Sequence, residues 1–178
     1  SQFIRPASDR SSKEHGLSVI VPGQDRGKSY IEHQAERAGV SYKAKLRAAV
    51  ESAIHEGMEH FICGMAEGCD LYFAETVLAL KSTYPHITLE AAIPCPSQAD
   101  GWGEAQKSRY RDILARCDYE TMVQQSYTPG CMQRRNRYLV DHAAMLIAVH
   151  DGLPGGTQKT IAYAMRWGIE VLDMPPIC

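Results

Sequence analysis

The sequence predicts an α/β fold: one domain built on a mostly parallel sheet of five to six strands, with helices on both faces. Three observations predict it. Short apolar or β-branched runs alternate along the chain with longer stretches of helical periodicity. The junctions after the runs are rich in glycine and proline. The 178 residues, 44% of them hydrophobic, are enough for one real core, and no linker, repeat or low-complexity tract divides them.

Residues 1–16 are polar, carrying Pro6 and the charges of Arg5, Asp9, Arg10, Lys13 and Glu14, and read as a flexible lead-in to a domain spanning 17–178. Leu17–Val21 is a buried-type strand. Tyr42–Glu56 places Leu46, Val50, Ala53 and Ile54 on one helical stripe. Gly57 ends that helix and His60–Cys63 forms the second strand. Gly68–Ser82 is the next helix, with Leu71, Ala74 and Leu78 inward, and Ile87–Ile93 the third strand. Glu104–Arg116 carries Tyr110, Ile113, Leu114 and Cys117 at helical spacing, before a short strand at Tyr119–Val123. Cys131–Asp141 is a helix, Met145–His150 a strand, and Thr157–Trp167 a helix. Glu170–Asp173 adds a last short strand before Pro175-Pro176.

Composition narrows the function. Nineteen Lys and Arg against 21 Asp and Glu leave a net charge of −2, which argues against coating nucleic acid or an anionic membrane. No apolar run approaches the roughly 20 residues of a membrane helix, and no signal-type apolar core sits near the start. The six cysteines form no C-x-x-C pair, and the seven histidines no metal-type cluster. The expectation is a reduced, cytoplasmic protein with no metal and no cofactor.

In a parallel sheet every βα loop lies outside the carboxyl ends of the strands, where ligands bind. The αβ loops of this chain are plain, and the βα loops are not. They read Pro22-Gly23-Gln24-Asp25-Arg26-Gly27, then Gly64-Met65-Ala66-Glu67-Gly68-Cys69-Asp70, then Pro94-Cys95-Pro96-Ser97-Gln98 with Trp102 beyond. Tyr127-Thr128-Pro129-Gly130 leads into Arg134-Arg135-Asn136-Arg137, and Asp151-Gly152-Leu153-Pro154-Gly155-Gly156-Thr157 closes the set. Glycines let backbone amides approach a ligand, and helix N-termini aim N–H groups and a positive dipole end at an anion. Phosphate is the natural occupant.

The weights differ along the rim. Asp70 suits either the dipole of its own helix or a ribose hydroxyl. Glu75 reads as solvated surface. Asn136 shares a face with Leu139 and Val140 and should look inward. Arg135 is the arginine of its trio best placed to reach a phosphate, with Arg134 and Arg137 solvated or paired. Trp102 either stacks a base or anchors its loop.

Gly64-Met65-Ala66-x-Gly68-x-Asp70, Pro129-Gly130-Cys131-Met132-x-Arg134-Arg135-Asn136-Arg137 and Pro154-Gly155-Gly156-Thr157, in that order, resemble the YpsA-like family of the SLOG superfamily, named for the Smf/DprA and LOG (lonely guy) proteins. The resemblance covers roughly Ser18 to Pro175. It implies a Rossmann-like sheet, a bacterial or phage-type protein, and a rim that binds a nucleotide or nucleotide-derived, ADP-ribose-like ligand. Carried onto this chain, the ligand-binding residues are Gly23, Gln24, Arg26, Gly64, Met65, Ala66, Gly68, Asp70, Arg135, Asn136, Asp151, Gly155, Gly156 and Thr157. No catalytic residue is assigned.

Two departures bear on activity. Lonely-guy proteins hydrolyse nucleotides at the N-glycosidic bond and carry a catalytic Glu after the Pro-Gly-Gly turn, but here no Glu occurs between Thr121 and Ile169. Glu67, Asp70 and Asp151 remain as alternative carboxylates. The family's Thr-Gly-His-Arg is replaced by Pro22-Gly23-Gln24-Asp25-Arg26, without the histidine. Both favour binding or sensing over turnover, with a nucleotide hydrolase or transferase as the alternative. A DprA-like single-stranded nucleic-acid module ranks below both, because the arginine trio is the only basic cluster. The partners expected are the small-molecule ligand and, left open, a second copy of the chain; a membrane is not expected.

Overall fold

Leu89–Ile93 on one run and Phe61–Cys63 on another are apolar at nearly every position, the signature of strands covered on both faces. The computed structural model describes residues 42–149 and 155–174. In chain order its elements are α1 (Tyr42–His55), β1 (His60–Cys63), α2 (Cys69–Leu80), β2 (Thr88–Ile93) and α3 (Glu104–Arg116), then β3 (Tyr119–Met122), α4 (Cys131–Asp141), β4 (Met145–Val149), α5 (Gly156–Arg166) and β5 (Glu170–Met174). Strands and helices alternate throughout, and every described strand pairing is parallel.

Among the described residues the strands form two ladders, β1-β2-β3 and β4-β5. Their register pairs Phe61 with Leu89, Ala91 with Glu120, and Ile147 with Leu172. The five to six strands expected in one sheet thus appear as a ladder of three and a ladder of two. The expected strand Leu17–Val21 and the lead-in 1–16 lie outside the described residues. Side-chain alternation shows how the ladders relate. Phe61, Cys63, Leu89, Ala91, Ile93, Met145 and Ile147 enter one core with α1, α2 and α3. Ile62, Ala92, Leu146 and Ala148 enter another with α4 and α5. Both ladders send odd and even residues to the same two cores, so they form one layer with helices on both faces.

Boundaries follow local chemistry. Gly68, with φ of 99°, sits in the left-handed region and stands outside the helix it was expected to begin. The same helix ends at Leu80 rather than Ser82, the Lys81 N–H closing on the Val77 carbonyl. Glu104–Arg116 and Cys131–Asp141 coincide with their expected spans.

One polar group interrupts the apolar strands. Glu90, in the middle of β2, is only 7% exposed. Its carboxylate accepts hydrogen bonds from the Thr121 hydroxyl at 2.8 Å and the Tyr138 hydroxyl at 2.5 Å, and His60 Nε2 lies 2.7 Å from its other oxygen. Burial raises the Glu90 pKa, but these three partners outweigh it and hold it below the ordinary glutamate value. The network ties α4 to the sheet through Tyr138. A carboxylate with a depressed folded pKa stabilises the fold above its unfolded pKa, near 4.3, and loses that contribution as pH falls through the folded value. Glu90→Ala should therefore cost about 2–4 kcal/mol of unfolding free energy at pH 7 in urea titrations. The difference between wild type and variant should shrink below about pH 4.

Candidate functional site

Each of the four helices that follow a strand begins from a glycine: Gly68 before α2, Gly103 before α3, Gly130 before α4 and Gly155 before α5. None of the four N-termini carries a side-chain cap. A glycine at the N-cap offers no side-chain acceptor to the first-turn N–H groups, and these helix starts lie at the carboxyl end of the sheet. At 68 and 130 the backbone demands glycine, with φ of 99° and 90°.

The loop between β1 and α2 is held from inside. The Gly64 carbonyl accepts hydrogen bonds from the Arg135 guanidinium and from Gln98 Nε2, the latter at 3.2 Å. A Cβ on Gly64 would lie 2.7 Å from Arg135 Nη1 and 2.9 Å from Asp70 Oδ2, so the glycine is where two charged side chains close in on the backbone. Asp70 Oδ2 accepts the Ala66 N–H at 3.0 Å. Cys63 Sγ accepts the Met65 N–H at 3.3 Å and donates to the Asp70 carbonyl at 3.1 Å. Met65, buried, has φ of 56°, a left-handed conformation unusual for a side chain of that size. Arg135 Nε donates to Asn136 Oδ1 at 2.8 Å.

Gly64, Met65, Ala66, Gly68, Asp70, Arg135 and Asn136 thus meet in one cluster. Asp70, Arg135 and Asn136 are buried, and Asn136 faces inward. Gly155, Gly156 and Thr157 lie at the start of α5, at the same end of the strands, with Thr157 buried. Gly23, Gln24, Arg26 and Asp151 lie outside the described residues. Arg134 donates to Gln124 at 2.7 Å and Thr128 at 3.1 Å, and Arg137 rests over the Tyr163 ring. Trp102 packs edge-on against Tyr110 and anchors its loop. Glu75, expected on solvated surface, instead grips Arg109 through both oxygens, at 2.5 and 2.8 Å, because α3 packs beside α2.

Gln98 and Cys63 belong to the cluster and were not singled out by motif. Gln98 is a single amide in a proline-rich loop, and only the fold brings it to Gly64. Three buried side-chain atoms in the described residues have no hydrogen-bond partner: Asp70 Oδ1, Gln98 Oε1 and Thr157 Oγ1. All three belong to residues that follow a strand's carboxyl end.

Burial pushes the Asp70 carboxyl up to about 7, against the opposing pull of Arg135 and the Ala66 amide. Burial likewise raises the Cys63 thiol well above its ordinary value.

The sequence matches the YspA SLOG family over residues 29–167. The chain belongs to that family. The match starts later and ends earlier than the span over which the motifs resemble YpsA-like proteins. Among relatives, the SPbeta prophage-derived protein YoqJ of Bacillus subtilis is 33% identical over 137 residues, 70% of this chain and 80% of YoqJ. A UPF0398 protein of Halalkalibacterium halodurans is 33% identical over 116 residues, 64% of this chain and 61% of its own. DprA of Streptococcus pneumoniae shares the fold at a TM-score of 0.59 and 14% identity, over 90% of this chain and 50% of DprA. DprA of Helicobacter pylori, whose structure reports a single-stranded DNA binding mode, gives 0.59 and 16%, over 90% and 66%. These structural likenesses establish the Rossmann-like α/β fold.

Two outcomes follow. Gly64→Ala should destabilise the protein by about 1–3 kcal/mol in urea unfolding, because neither buried side chain can withdraw cheaply. Asp70 has a folded pKa above its unfolded value near 3.9, so the folded state binds the extra proton between about pH 4 and 7 and its stability falls as pH rises through that window. Asp70→Asn should flatten this slope in unfolding measurements taken from pH 4.5 to 8.

Proposed function

We propose that the rim binds or senses a nucleotide or a nucleotide-derived, ADP-ribose-like ligand. The observation that carries this reading is the set of four helix N-termini, each opened by a glycine and none capped by a side chain, around a loop clamped by a buried arginine. Such N-termini suit phosphate oxygens through N–H groups and the helix dipole. The Met65 and Ala66 amides are already engaged within the loop. The phosphate-holding amides are then those of Gly155, Gly156 and Thr157 and those at the Gly68 end of the first loop. Arg135 supplies positive charge from beneath that loop, and Asp70 and Asn136 bond to ribose or base. Gly23, Gln24, Arg26 and Asp151 complete the proposed set by family resemblance.

Binding without turnover is the reading we favour, because no Glu lies between Thr121 and Ile169 to serve the lonely-guy reaction. The five described cysteines are all free, which fits a reducing cytoplasm. No helix among the described residues is long and apolar enough to cross a membrane. A second reading, a single-stranded nucleic-acid module, draws on the fold shared with the Helicobacter pylori DprA. The near-neutral charge weighs against it.

Native mass spectrometry of the purified chain is the first test. A retained adduct with the mass of a nucleotide or ADP-ribose derivative is expected. Gly156→Asp places a carboxylate at the proposed phosphate position, and we expect it to weaken nucleotide binding at least about tenfold. Equal binding by wild type and variant would remove α5 from the site. Free base released on incubation with nucleotides would instead establish the hydrolase, and steeply salt-dependent binding of single strands the nucleic-acid reading.

A further inference from the structure

Buried polar atoms in folded proteins nearly always have a partner, and those left without one call for an explanation. Here the unpartnered buried side-chain atoms in the described residues are Asp70 Oδ1, Gln98 Oε1 and Thr157 Oγ1. They come from three separate segments, the start of α2, the loop after β2 and the start of α5, yet all follow strand ends on one rim. Glu90, at mid-strand, has three partners and leaves neither carboxylate oxygen bare.

Their chemistry is selective. The Gln98 orientation follows from its bond to Gly64, since a backbone carbonyl can only accept and therefore faces Nε2, leaving Oε1 as the free acceptor. Asp70 Oδ2 is taken by the Ala66 amide, and above about pH 7, where the carboxyl is ionised, Oδ1 is also acceptor only. Both residues border Gly64: Asp70 Oδ2 lies 2.9 Å from the position of its missing Cβ, and Gln98 bonds to its carbonyl. Phosphate oxygens, acceptors themselves, leave such a pair unsatisfied. Hydroxyl groups satisfy it. Residues 67–69, which precede Asp70 in the chain, are half-buried.

We infer that Gln98 is a ligand-specificity residue and that Asp70 and Gln98 together accept hydrogen bonds from the vicinal hydroxyls of a ribose, so that the site selects ribonucleotide-type ligands over deoxy ones. This rests on the nucleotide reading above and goes beyond it by naming the sugar and a residue that no motif marks. An internal water donating to both acceptors is the competing account. It requires no discrimination between sugars.

The test is isothermal titration of the full chain at about pH 8 with ADP and with 2′,3′-dideoxy-ADP, on wild type and on Gln98→Met, which keeps length and removes both the acceptor and the donor to the Gly64 carbonyl. We expect the dideoxy compound to bind wild type about 10- to 100-fold more weakly than ADP, the loss set by acceptors left unpaired in the complex. Gln98→Met should weaken ADP more than the dideoxy compound, the coupling expected of a direct contact, because the lost bond to Gly64 affects both ligands alike. Equal affinity of wild type for the two compounds overturns the inference and leaves the nucleotide reading standing. A variant that weakens both alike overturns Gln98 as the sugar contact. Binding of neither compound overturns the nucleotide reading and this inference together. The wild-type comparison needs no substitution, so a poorly folded variant does not obscure the answer.

Discussion

A buried guanidinium is the constraint on which the rim depends. Arg135 is 2% exposed, always charged, and brings five N–H donors into the protein interior. Its acceptors include the Gly64 carbonyl and Asn136 Oδ1, with Met132 Sδ at 3.9 Å. Meeting that demand fixes much else. Position 64 must lack a side chain, the first turn of α2 must bring a carboxylate close, and α4 must hold its height against the sheet. Tyr138, one turn after Arg135 on the same helix, bonds to Glu90 and supplies that height from the other side. The helix is pinned at two points one turn apart in its middle.

The two buried carboxylates show how environment divides identical chemistry. Glu90 collects three partners and is held ionised. Asp70 has one backbone amide on one oxygen and nothing on the other, and even a neighbouring arginine does not restore its ordinary pKa. The first carboxylate is structural and complete. The second is left short of partners at the rim, the usual arrangement where a group is reserved for a ligand or a proton.

Much of this was legible in the sequence. The helices at Cys131–Asp141 and near Glu104–Arg116 could be read because apolar periodicity and the glycines before them agree. The clustering of the βα loops followed from alternation alone. What escaped depends on side chains meeting across long separations. Glu90 stands alone in an apolar strand, a visible oddity, but His60, Thr121 and Tyr138 become its partners only through strand order and helix packing. Glu75 looked like surface because Arg109 is 34 residues away. Gln98 lay in a loop already noted, with nothing to set it above its neighbours until the Gly64 carbonyl was seen to need it. Arg135 was read as reaching outward to phosphate, whereas its guanidinium turns inward to the loop.

The Cys63 thiol gives the molecule a built-in clock. It is fully buried, engaged with both the Met65 amide and the Asp70 carbonyl, and held in its unreactive protonated form. Its two hydrogen-bond partners belong to the Gly64–Asp70 stretch, and an alkylating reagent reaches it only when the packing around that stretch opens. Its rate of modification therefore counts openings of that segment, as amide exchange counts local unfolding. Cys69, half-exposed six residues further on, supplies the reference for reagent activity in the same tube. Slowing of the first relative to the second would register anything that seals the loop, whatever its chemical nature.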